Sequence, residues 1–188
     1  MARTRRAAQP QNSPASPRGV SMIELMVVVL VLGILSAIAV PGFKSTIQSS
    51  QRTVYANQLL EDLAFARSEA IKRGVRVTVC PSTDSSSCSG STSWATGWIT
   101  FVDLPTYGTR DTATDTLLRV HEALASGWTA TKNNNSFVTF GPLGTPSGVS
   151  AFTLAVCATS AACDTTTTSS QTNLVMSSVG RVRIESYN

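Results

Sequence analysis

Residues Val20 to Val40 form a 21-residue run with a single charge, Glu24. As a helix at ~1.5 Å per residue it would extend about 31 Å, close to the ~30 Å of a bilayer's hydrocarbon core. The run therefore reads as a membrane-length helix. A carboxylate inside such a helix is expensive, and Glu24 needs a partner to justify it.

Charge sharpens the picture. The formal net charge is +4 over 188 residues, from 15 Lys and Arg against 11 Asp and Glu. Arg3, Arg5, Arg6 and Arg18 all precede Gly19, and no acid does. From Val20 onward the charges balance. A body that is basic everywhere is thereby excluded, and contact with a polyanion requires a local cluster.

Residues 1–18 are rich in Arg, Pro and Ser and lack periodicity, so they read as a disordered leader. An ordinary secretory signal places its apolar segment before the cleavage site. Here the plausible cut, at Gly19, comes before the apolar run, so the helix would stay on the mature chain. Pro41-Gly42 should bend or loosen that helix locally. Helical spacing then resumes through Ala56, Leu59, Leu60, Leu63, Ala66, Ala70 and Ile71. Lys72 and Arg73 suit a helix C-terminus and Gly74 suits its cap. One helix of roughly 50 residues is expected. Beyond it the period becomes two, with Val75, Val77 and Val79 alternating against Arg76 and Thr78. Further strands are expected at 97–103, 117–123, 137–140, 152–157, 174–176 and 181–186. Polar loops at 82–93, 105–116, 132–136 and 159–172 separate them. Short connections favour antiparallel pairing, giving an α+β fold in which a sheet packs on the helix's C-terminal half.

Four cysteines fall as two local pairs, Cys80 with Cys88 and Cys157 with Cys163. In an exported chain each pair would close a short loop, contributing about 2–3 kcal/mol. Three connectivities exist on paper, and local pairing is the easiest. Spacings of C-x7-C and C-x5-C do not suit zinc. The one histidine, His121, has no nucleophile beside it in a recognisable motif, and no Gly-rich phosphate loop precedes a helix. No cofactor or metal is expected, and the chain does not read as an enzyme.

The segment Gly19-Val20-Ser21-Met22-Ile23-Glu24-Leu25-Met26, with Pro41 downstream, resembles a type IV prepilin. The resemblance implies cleavage after Gly19 by prepilin peptidase and N-methylation of Val20. It also implies filament assembly through Glu24, whose partner would be the new Val20 amine of a neighbouring subunit. Most such chains begin with Phe where this one begins with Val20. The stretches 59–74, 77–82, 97–103 and 180–184 look like the FimT/GspH family of minor pilins and pseudopilins. That implies a long N-terminal helix on a β-rich domain, major and minor pilins as partners, and an inner-membrane stage before display on a surface filament. The domains would be leader 1–19, hydrophobic transmembrane and assembly helix 20–47, and a periplasmic or extracellular domain 48–188.

Arg181 and Arg183 stand at i and i+2, so a strand would project both from one face. Such a pair can contact successive phosphates. In the family resemblance, Gly180-Arg181-Val182-Arg183 looks like the DNA-binding element of FimT-type pilins used in natural transformation. Glu185 shares that face and can pair with Arg183 instead, which is the plain structural alternative. Lys132, in the polar stretch 132–135, is a possible added phosphate contact. Trp94, Trp98 and Trp128 could stack bases, though core packing suits at least two. Rival functions are a FimU-like structural subunit of a pilus-priming tip complex and a GspH-like pseudopilin of type II secretion. One outcome follows from the Glu24 pairing. Glu24→Ala should leave the leader cut intact while depleting the chain from sheared filaments on immunoblots. Undiminished incorporation would contradict the pairing.

Overall fold

The computed structural model describes residues 19–104, 106–134, 136–148, 151–158, 163 and 171–187, with side chains throughout these except at 38–42 and 187. The expected leader at 1–18 lies outside the described residues, as do Asn135 and most of the loop 159–172. The chain divides into two compact units, Met1–Lys44 and Ser45–Asn188.

In the first unit the backbone is helical from Met22. Its described apolar side chains are exposed, from Met22 at 81% to Val31 at 46%, so this surface is built for an apolar environment or for other helices. Among the described residues no helix is long and apolar enough to cross a membrane. The described side chains of this run stop at Ala37, short of the full run to Val40.

Helix α1 (Met22–Arg73) has 52 residues. It continues through Pro41 and Gly42 rather than breaking there. One missing N–H costs one intrahelical bond, which a long helix tolerates. Lys72 and Arg73 occupy its last turn, where cations complement the helix dipole. Gly74 closes it at φ +66°, donating its N–H to the Ala70 carbonyl at 3.0 Å.

The second unit holds two antiparallel sheets. The first comprises β1 (Val77–Pro81), β2 (Trp98–Val102), β3 (Leu117–His121), β5 (Val138–Phe140) and β6 (Pro146–Ser147), in the order β3-β2-β1-β5-β6. The second comprises β4 (Trp128–Lys132), β7 (Phe152–Ala158), β8 (Gln171–Met176) and β9 (Val182–Tyr187), in the order β4-β7-β8-β9. The stripe Tyr55, Ala56, Leu59, Leu63, Ala66 and Ala70 of α1 is buried in one core with Val77, Val79, Trp98, Phe140, Leu154, Leu174 and Met176. Alanines in that stripe let the helix approach closely, while each buried Leu contributes about 1.5–3 kcal/mol.

Two features were not read from the sequence. First, β1 alternates apolar with polar residues, yet every residue of β1 and β2 is buried. The outer face of this sheet is covered as well. Cys80, Ile99 and Phe101 form a second apolar cluster. Beside it the Thr78 hydroxyl donates to Asp103 Oδ2 at 2.6 Å and meets the Thr139 hydroxyl, while the Gly108 N–H donates to the same carboxylate oxygen at 2.9 Å. The covering loops are joined by Arg110, which donates to the Ser86 carbonyl at 2.5 Å. A disulfide links Cys80 to Cys88 in one of these loops, and another links Cys157 to Cys163. Second, β4 and β6 were not expected. Trp128, Thr129 and Thr131 of β4 do favour a strand, but the run carries no aliphatic alternation and ends in the polar stretch 132–135; Pro146–Ser147 is only a short edge pair.

A polar pin fixes α1 against the first sheet. Asp62, 3% exposed, accepts the Trp98 indole N–H at 2.7 Å and an Arg119 N–H at 2.6 Å. Arg119 also donates to Glu61 at 3.0 Å and lies over the Phe65 ring. Its Asp62 bond holds the guanidinium pKa above its ordinary value. Removing Asp62 strands a buried indole donor and leaves Arg119 only its exposed Glu61 partner. Asp62→Ala should therefore lower stability by about 2–4 kcal/mol in urea unfolding, with Asp62→Asn losing less. A change within error would contradict the pin.

Candidate functional site

The end of the second unit where α1 terminates gathers three turns. The β8–β9 hairpin closes through residues 177–181. The Ser177 N–H donates to the Arg181 carbonyl at 2.9 Å, and the Arg181 N–H donates to the Ser177 hydroxyl at 3.2 Å. Gly180 sits at φ +81°, and a Cβ there would lie 3.0 Å from Pro146 Cδ and 3.2 Å from the Gly144 carbonyl. Its own carbonyl accepts an N–H from Arg67 of α1 at 3.2 Å. Positive φ and close quarters both call for glycine at this place.

This hairpin aims the two arginines. Val182 and Ile184 pack against the core, so the alternation of the strand turns Arg181 and Arg183 outward. Both are exposed, and their spacing along the chain is ~7 Å. Both line one hollow of about 420 Å³, together with Ala151, Val175, Met176, Ser177 and Val179. Arg183 is held by Glu185 at 2.6 Å. Arg181 makes no ion pair among the described residues. A second hollow, of about 210 Å³, lies on the other side of Gly180 and Arg181, between Leu60, Leu63, Arg67, Phe140 and Val182.

The remaining candidates fall elsewhere. Lys132 is a correction. It ends β4 with 2% exposure, its ammonium is bonded to Asn134 and set over the Phe152 ring, and burial pushes its pKa down to about 8. A cation in that position is not presented to a phosphate backbone. Trp94 and Trp98 are fully buried, and Trp128 packs edge-on against Tyr55, so none is a base-stacking platform. Arg119 belongs to the Asp62 pin. His121 stacks on Trp98 with ring centroids 3.8 Å apart, a packing role. Glu24 lies in the first turn of α1, with Gly19 and Val20 exposed just before it. No group of three or more metal-ligating side chains occurs among the described residues. Sequence reasoning did not find the apolar floor beside the arginines, because Val175 joins it only through the register that pairs it with Arg183.

Lys132 yields a prediction with a definite sign. Its folded pKa, about 8, lies below the ordinary lysine value of ~10.4. Between those values the unfolded chain binds more protons, so stability rises with pH. Between about pH 7.5 and 9.5 the urea midpoint of the wild type should rise, and Lys132→Met should abolish that rise. An unchanged pH slope in the variant would contradict the assignment.

The sequence matches two family models. Residues 55–180 match the type II transport protein GspH, and residues 15–40 match the prokaryotic N-terminal methylation motif. No curated protein matches the chain at a significant level. Among solved structures, the fold is similar to type IV minor pilin FimU of Pseudomonas aeruginosa in two crystal forms. The first has 22% identity and a TM-score of 0.55, covering 72% of this chain and 89% of that one. The second has 22% identity and a TM-score of 0.53, covering 71% and 91%. The minor pseudopilin EpsH of Vibrio cholerae aligns at 14% identity and a TM-score of 0.49, covering 72% and 97%.

Proposed function

Because this chain belongs to the GspH family and carries the prokaryotic N-terminal methylation motif, we propose that it is a minor pilin whose far end captures DNA. Minor pilins and pseudopilins assemble with other pilins after prepilin processing. In this reading prepilin peptidase cuts after Gly19 and Val20 becomes the methylated N-terminus. The helix rests as a single span of the inner membrane with the second unit in the periplasm, and Glu24 then meets a neighbour's Val20 amine in the filament. Pairing the two charges removes the cost of either one buried alone.

The observation that favours DNA is the shared outward face of Arg181 and Arg183 on a rigid hairpin. Two guanidiniums at ~7 Å suit consecutive phosphates of one strand, and phosphate contact carries no sequence information. Binding by one subunit is weak and salt-sensitive, and several subunits on one filament raise the effective affinity. Capture of DNA for natural transformation is the use that fits a surface filament.

A second reading has its own support. Leu143, Val179 and Ile71 are 84%, 66% and 53% exposed on the three turns that meet at this end. An apolar cluster of this kind suits packing against another subunit, as a structural tip subunit or a pseudopilin of type II secretion would require.

The test is a titration of labelled duplex DNA with the full chain in neutral detergent. Affinity should fall steeply with salt, and Arg181→Ala/Arg183→Ala should weaken binding and lower the salt slope by about 2. No binding at low salt, or binding unchanged in the double variant, would overturn the DNA reading in favour of the structural one.

A further inference from the structure

The hollow under the two arginines has a chemistry that phosphate contact does not use. Ala151, Val175 and Val179 give it an apolar lining, with Arg181 and Arg183 on its wall. Val175 lies between Thr153 of β7 and Arg183 of β9 in register, so an aliphatic surface adjoins the guanidinium on the sheet's outer face. Val179 projects from the hairpin turn and is 66% exposed. At about 420 Å³ the hollow falls within the ~300–1,000 Å³ of small-ligand sites.

We propose that this hollow seats one unstacked nucleobase while Arg181 and Arg183 hold the flanking phosphates, so that the site prefers single-stranded DNA. The proposal rests on the DNA reading above and specifies its ligand. A duplex keeps its bases stacked inside and offers the arginines only backbone. A single strand can turn one base inward, burying a flat apolar face on the valines while its phosphates remain at the rim. The lining presents methyl groups rather than a directional hydrogen-bond pattern, so it tolerates any base and favours thymine, whose own methyl adds contact. Glu185 deepens the selectivity. Its carboxylate already holds Arg183 at 2.6 Å, so a phosphate alone must compete for that cation. A ligand that also fills the hollow gains contact that the carboxylate does not oppose.

The experiment compares an oligothymidylate with a duplex of equal length, by fluorescence anisotropy on the full chain in neutral detergent at fixed salt. The oligothymidylate should bind about three- to tenfold tighter, a smaller gain than stacking on an aromatic ring provides. Val175→Thr/Val179→Thr should erase the difference and leave duplex affinity unchanged. Val179→Thr alone, on an exposed turn, should reduce it and guards against a folding defect in the double variant. Equal affinities for the two DNAs, both lost in Arg181→Ala/Arg183→Ala, would overturn the base seat and leave the DNA reading standing. Binding of neither DNA would overturn that reading itself. Stronger competition by an acidic peptide than by the oligothymidylate would reassign the hollow to a protein partner.

Discussion

Everything in the second unit depends on one close approach, that of α1 to the two sheets. Ala56, Ala66 and Ala70 are fully buried, and their small side chains bring the helix axis near the strands. Leu59 and Leu63 fill the space this leaves. Apolar contact alone does not specify rotation or register, because dispersion and burial are not directional. Asp62 supplies direction. Its two oxygens take the Trp98 indole and the Arg119 guanidinium from adjacent strands, so turning the helix would break both bonds. The Arg67 bond to the Gly180 carbonyl adds a second fixed point, at the hairpin that carries the arginines. The candidate site is thereby tied to α1 within the second unit.

Periodicity made much of this legible. Helical spacing from Ala56 to Ile71 and the Gly74 cap announced α1 and where it stops. Alternation announced β9, and Gly180 before it matched a turn that needs positive φ. The failures have physical causes. Val77 and Val79 alternate with polar neighbours, but the loops following β1 and β2 fold back over the outer face, where Asp103 Oδ2 accepts from Thr78 and Gly108. Lys132 looked like a surface cation beside asparagines, whereas its long stem lies along the core with the charge turned onto Asn134. The hollow beside Arg183 depends on strands that are distant in sequence, so no local pattern could disclose it.

The family relationship explains why these parts occur together. A GspH-family chain with a methylation motif is a minor pilin or pseudopilin. At the N-terminus, the described apolar side chains of α1 are exposed, with Glu24 in the first turn. In the second unit, a Gly-restrained hairpin presents two cations beside apolar side chains. From Val20 onward the charges balance, so the exposed Arg181 and Arg183 are a local feature of an otherwise neutral body.

The most direct test of the account is mass spectrometry of the N-terminal peptide from chains recovered in sheared, purified filaments. The account predicts a peptide that begins at Val20 and carries a methyl group on its amine. Recovery with residues 1–19 still attached, a cut at any other bond, or absence of the chain from filaments that contain the other pilins would contradict it.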